Sequence, residues 1–374
     1  RQFTLGAGGG TLDASGSGAV AFTYAGPLTL AGPATARKLT LTGANAGENI
    51  FSAQLGDSSA GATALAKTGT GTWRLTNQAS NYTGATTING GILIVDKLAD
   101  GGADSSIGAS SSVMGNLVIG NGSTFRYVGT GDTTGRQFTL DTGVTYIQAS
   151  GTGALVFDNV GAVGLTGTNA TRTIALGGTN TDLNTMGGAI GDNGTGATTL
   201  AKNDSGTWVL TGNNSFTGNT VINNGNLMIG NGGTTGNAGA GNVIVNSATS
   251  TLSLNRSDSF TFGGTLSGPG TLAQIGAGTS ILTSASNSIG AATISAGALQ
   301  VDGGLTTPTI AMTGTSALTV NGTVRAAGGT AAALTGDAGA STIIVNAGAT
   351  LAANGDLGDG GGTVSLAGTL AAGG

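Results

Sequence analysis

Gly69–Val95 reads GTGTWRLTNQASNYTGATTINGGILIV, Asp204–Ile229 reads DSGTWVLTGNNSFTGNTVINNGNLMI, and Gly276–Val301 reads GAGTSILTSASNSIGAATISAGALQV. The three share one plan: a Gly-Thr opening, a short strand, a polar Asn/Ser turn, glycine before a second strand, then glycine and a third strand. Aligning them separates two sets of side chains. In the third strand Leu93, Leu227 and Leu299 stay apolar, as do Val95, Ile229 and Val301, whereas Ile92/Asn226/Ala298 and Ile94/Met228/Gln300 vary freely. Successive strand side chains point to opposite faces, so the constant set is expected in a core and the variable set outside. The same parity puts Trp73 with Leu75, Trp208 with Leu210 and Leu282 on the core side, and Arg74 outside.

A longer repetition contains the shorter one. RQFTL stands at Arg1–Leu5 and again at Arg136–Leu140, and at the same offset Phe22 recurs as Phe157, Asp57 as Asp192, Trp73 as Trp208, and Phe125 and Tyr127 as Phe260 and Phe262. Such periodicity is the signature of a stacked-repeat fold. Runs such as Leu39–Thr42, Asn116–Ile119, Asn242–Val245 and Thr342–Val345 read as strands, no helical period persists beyond a turn, and coils of roughly 20–25 residues follow. The expected architecture is all-β: a right-handed parallel β-helix, one continuous solenoid over residues 1–374, with copies of the long repeat starting near 1 and 136 and less regular coils over 302–374. Opening inside a repeat, the chain reads as a fragment of a longer one.

Composition narrows the function classes. Glycine accounts for 74 of 374 residues, with only 4 prolines and no three-residue step, which excludes collagen. Charged residues are 8%, against about 25% in average proteins. There is no cysteine and no histidine, so disulfides, Cys/His zinc sites and His-dependent triads are excluded. A net charge of −5 with scattered cations (Lys38, Lys67, Arg126, Arg325) argues against nucleic acid. No apolar run approaches a transmembrane helix.

The chain resembles the autotransporter-associated β-strand repeat family at Gly71-Thr72, Leu75-Thr76, Gly84, Ile88, Gly91, Leu93 and Val95, and at Gly206-Thr207, Leu210-Thr211, Gly218, Ile222, Gly225, Leu227 and Ile229. The third copy departs by carrying Ser280 in place of tryptophan. The resemblance implies a β-helix displayed at a Gram-negative surface, or secreted by a type V route.

Candidate sites each have a plainer alternative. Glu48 is the one glutamate; Asp57 and Asp192 sit in GDSSAGAT and GDNGTGAT, which suits turns better than a glycosidase carboxylate pair. Asp356 and Asp359, in NGDLGDGGG, echo a calcium nonapeptide once, where a site needs tandem copies. Trp73 and Trp208 could stack on sugars but share the core parity, and Phe125 with Tyr127 reads as a packed layer. Sequons at Asn81 and Asn121 are frequent by chance, and the Thr-x-Thr pairs (Thr40/Thr42, Thr70/Thr72, Thr171/Thr173) lack the fixed spacing of an ice-binding array. The expectation is therefore a non-enzymatic adhesive or filament-forming surface fibre without cofactor or metal. Its partners would be other copies of itself or cell-surface and matrix glycans. A polysaccharide-active β-helix enzyme and a passive stalk are the alternatives.

Overall fold

The computed structural model describes residues 2–32, 35–59, 61–326, 334–336, 341–353 and 363–372. Its strands stack in parallel as a β-solenoid of about 15 turns, and among the described residues the one helical element is a three-residue 3₁₀ turn, Met114–Asn116. The chain divides into two compact units, Arg1–Leu200 and Ala201–Gly374.

In the first unit one ladder runs through Gly10–Asp13, Arg37–Thr42, Thr63–Thr68, Thr86–Asn89, Leu117–Ile119, Thr139–Leu140 and Gly164–Leu165. A second runs through Glu48–Phe51, Thr72–Leu75, Ile92–Val95, Thr124–Tyr127, Gly143–Ala149 and Arg172–Gly177. In the second unit Thr207–Leu210, Asn226–Ile229, Thr251–Leu254, Leu266–Gln274 and Asn287–Ile294 form one ladder. Ser259–Phe262, Thr279–Leu282, Ala298–Val301, Ala317–Val320 and Thr342–Val345 form another.

Register turns the repeat into columns. Trp73 pairs with Leu93 and Leu93 with Phe125, while Leu75 pairs with Val95 and Val95 with Tyr127. Trp208–Leu227–Leu252 and Leu210–Ile229–Leu254 do the same in the second unit, as do Ser280–Leu299 and Leu282–Val301. Each coil thus lends its apolar residues to a column that only its neighbours complete, the nearest-neighbour stability of a solenoid. A fully buried Leu contributes about 1.5–3 kcal/mol.

Coil length is less regular than the expected 20–25 residues. Asn287 pairs with Leu305, 18 positions on, and Ile92 with Thr124, 32 positions on. The ladder fixes only the strands, so extra residues are accommodated in the turns. The longest step carries the loop from Asp96 to Asn116, which is held by its own hydrogen bonds, among them Ser106 N to Lys97 O and Gly102 N to Ser110 O.

Candidate functional site

The corner before the third strand is where the three short repeats agree most closely. Gly91, Gly225 and Gly297 take φ of +63°, +70° and +55° there. A Cβ at these positions would come within 2.3, 2.5 and 2.2 Å of the carbonyl oxygens of Gly71, Gly206 and Gly278 in the preceding coil. Only glycine meets both demands. The close approach also gathers carbonyl oxygens inside the corner, and a buried side chain answers them. Lys67 Nζ donates to the carbonyls of Thr68, Gly69 and Gly90 at 2.8, 3.0 and 2.9 Å. Lys202 Nζ donates to Asn203, Asp204 and Asn224 at 2.6, 2.8 and 3.0 Å. An ammonium has three donors and no acceptor, which matches three converging carbonyls. Burial draws both lysines down to about 8.

The third copy solves the same corner with neutral groups. Gln274 holds the lysine position and donates Nε2 to Gly276 O at 2.7 Å and to Gly278 O at 3.3 Å. Its Oε1 accepts from Ser280 Oγ at 2.6 Å. Ser280 is the residue that departs from tryptophan, so the two departures are one change: a neutral amide needs a donor where the lysine copies have an indole. In the first copy that indole donates to Thr42 O at 2.8 Å. Sequence reasoning passed over Lys67 and Lys202, although each lies six residues before its tryptophan, as Gln274 lies before Ser280.

Buried arginines do similar work. Arg136 donates to the carbonyls of Ala99 (2.7 Å), Ser110 (2.9 Å) and Gly108 (2.9 Å), tying down the Asp96–Asn116 loop. Arg172 donates to Thr166 O at 2.8 Å and Arg37 to Leu5 O at 3.0 Å. Desolvation lowers the pKa of Arg136 and Arg172. Lys67, Lys202, Arg37, Arg136 and Arg172 are all buried, which removes much of an already small cationic complement from the surface.

The aspartates singled out by their repeat are engaged in turns. Asp57 accepts from Thr63 N (2.7 Å), Thr83 N (3.1 Å) and Thr83 Oγ1 (2.6 Å), and Asp192 accepts from Thr198 N (2.6 Å), both closing turns. Asp57 borders a groove of about 510 Å³ whose lining includes Leu28, Gln54, Ser58 and Asn81, and it is the one carboxylate in that lining. Asp132 accepts from Leu98 N and Tyr127 Oη, and the Thr166 hydroxyl bonded to Asp141 lowers that carboxyl's pKa. Among the described residues no three His, Cys, Asp or Glu side chains gather as a metal site; Asp356 and Asp359 lie outside those residues.

Trp73, Trp208, Phe125 and Tyr127 are buried and present no face to a ligand. Leu75, Leu93, Val95, Leu210, Leu227, Ile229, Leu282, Leu299 and Val301 are buried as well. Phe260 is half-buried, with the Arg256 guanidinium 4.9 Å above its ring. Asn81 and Asn121 are exposed, though Asn121 Oδ1 accepts from Val144 N. Thr40, Thr42 and Thr173 are half-exposed, Thr70 and Thr171 exposed and Thr72 buried. The outward set needs a correction: Ile92, Asn226, Ala298 and Gln300 are half-buried, but Ile94 and Met228 are buried at 3% and 7% exposure. Register places Ile94 between Arg74 and Arg126, whose aliphatic stems can cover it; Met228 lies between Val209 and Ser253, with Asn255 Nδ2 3.6 Å from its sulfur. Asparagines form cross-coil ladders: Asn246 donates to Asn223 and Asn223 to Asn203, and Asn346 donates to Asn321 and Asn321 to Asp302.

Comparison with known proteins adds three findings. The passenger-associated-transport-repeat family matches residues 65–95, 200–229 and 272–301, spans that take in Lys67, Lys202 and Gln274 as well as the three strands. An adhesin autotransporter, BmaC, of Brucella suis biovar 1 (strain 1330) is 54% identical over 271 residues, 72% of this chain. The chain spans only 8% of the length of that relative. No solved structure matches.

Proposed function

The chain belongs to the autotransporter passenger repeat family, and from that premise we propose that it is an adhesive segment of an extracellular fibre. Such a passenger is surface-exposed or outer-membrane-associated in Gram-negative bacteria. The observation that carries the reading is the 54% identity, over 72% of the chain, to a protein named an adhesin. The physical organisation supports it. Buried lysines, arginines and glycines fix the coil corners, so outward strand positions can change from coil to coil without disturbing the core. Weak contacts repeated along such a surface gain by multivalency.

The absence of enzymatic activity is part of the proposal. Glycoside hydrolysis needs two carboxylates roughly 5–10 Å apart, and the lining of the 510 Å³ groove offers Asp57 alone, already accepting three hydrogen bonds. The test is to display the intact surface protein on a non-adherent bacterium, with and without residues 1–374, and count cells retained on host-cell and matrix-coated surfaces. Loss of retention or of cell-to-cell aggregation on deletion is the expected result. Equal retention would assign adhesion to other parts of the protein and leave this segment as a stalk.

A further inference from the structure

Within the first unit, the outward side of the strands Thr72–Leu75, Ile92–Val95, Thr124–Tyr127 and Gly143–Ala149 gathers cationic, amide and aromatic side chains. In a protein with 4% aromatic and 8% charged residues, register sets Arg74, Ile94, Arg126 and Gln148 in one column and Ile92, Thr124 and Tyr146 in the next. The two arginines differ. Arg74 is neutralised: Nε and Nη2 reach Asp96 at 2.7 and 3.1 Å, and Nη1 reaches Glu48 at 3.0 Å. Arg126 is half-exposed, and its side chain donates from Nε to the neutral Gln148 Oε1 at 2.8 Å; among the described residues no carboxylate lies within ion-pair distance of it. Tyr146, also half-exposed, lies on the same face by strand parity, two positions before Arg126's partner Gln148.

We propose that Arg126, Gln148 and Tyr146 form a binding site for a carboxylate-bearing sugar chain. This deepens the adhesive reading and rests on it. The open fork of Arg126 suits a carboxylate bidentately, the ring of Tyr146 offers a flat apolar surface to the C–H face of a pyranose, and the Gln148 amide can serve a neighbouring hydroxyl. An acidic peptide fits less well: peptides add to sheets through free backbone groups at an edge, and these strands are paired on both sides. The second unit carries Val209, Met228 and Ser253 along the corresponding column, so the site is confined to the first.

The test is calorimetric or surface-based binding of the 374-residue chain to polygalacturonate, with neutral dextran as control. The wild-type chain should bind the polyuronate and not dextran. Arg126→Gln and Tyr146→Ser should each weaken binding by about tenfold, the order expected for a lost charge-assisted contact, while both variants keep the wild-type β-rich circular dichroism at the assay temperature. Lys38→Gln, at an exposed cation on another face, should leave binding unchanged. No polyuronate binding, or equal weakening by Lys38→Gln and Arg126→Gln, overturns the site. Displaying the Arg126→Gln protein on cells separates the two readings: adherence that survives intact sinks the site and leaves adhesion standing, whereas a wild-type protein that binds polyuronate but never retains cells sinks adhesion alone.

Discussion

At Lys202 an ammonium sits where water does not reach it, held by three carbonyls. Removing the donors takes a charge-assisted hydrogen bond from each of three carbonyls at the corner, at about 1 kcal/mol each. Lys202→Met should therefore cost about 3 kcal/mol in chemical denaturation, and Lys202→Gln less, because Gln274 shows that an amide can serve the carbonyl two residues on, Gly276 O, the counterpart of Asp204 O. The same residues set a pH dependence. Their pKa is about 8 in the folded chain against 10.5 for a free lysine. Between those values the unfolded chain retains protons that the folded chain has released, so stability should rise with pH from about 8 toward 10. Above 10 the buried Tyr82 phenol, pushed up by desolvation, acts in the opposite direction, since the unfolded chain ionises first. Denaturation midpoints measured between about pH 7.5 and 9.5 should rise for the wild type and stay flat for the Lys67→Gln/Lys202→Gln variant. The position of these lysines was visible as a fixed spacing before tryptophan. Their role was not, because it depends on carbonyls from residues that only the coil stacking brings together.

At the scale of the strand and its turn, the repeat was far more legible. A period-2 comparison of three aligned strands separates Leu93 and Val95 from Ile92, and the first two are fully buried. What parity cannot supply is the neighbour across the ladder. Ile94 points outward yet is buried, because Arg74 and Arg126 flank it in register, and that pairing spans coils 20 and 32 residues apart whose lengths sequence alone does not fix. Turn chemistry can be tested with two glycines of similar φ. Gly232 has φ +77° and open space where a methyl group would stand, whereas Gly225 has φ +70° and Gly206 O only 2.5 Å from that position. Gly232→Ala should cost about 1 kcal/mol, the conformational penalty alone, and Gly225→Ala about 3 kcal/mol or more, since strain and overpacking add. Comparable losses in urea denaturation would mean that the close approach at Gly225 relaxes freely.

For the whole molecule the consequence is locality. A solenoid coil contacts its neighbours and little else, so stability is close to a sum of nearest-neighbour terms, and regions far along the chain open with independent free energies. Long-range electrostatics does little to couple them: the ion pairs among the described residues are those of Arg74 with Glu48 and Asp96 and of Arg256 with Asp258, and partly exposed pairs contribute about 0–1 kcal/mol. A corner defect should therefore stay where it is made. Lys67→Met should speed amide exchange in Thr63–Thr68, Thr86–Asn89 and Ile92–Val95, the strands that meet at its corner, while Ala298–Val301 and Ala317–Val320 exchange as in the wild type. Uniform acceleration across all of these strands would show instead that the chain opens as one cooperative body. Local opening would suit the adhesive role proposed for this segment, because a coil whose outward residues vary can lose stability without unfolding coils far from it.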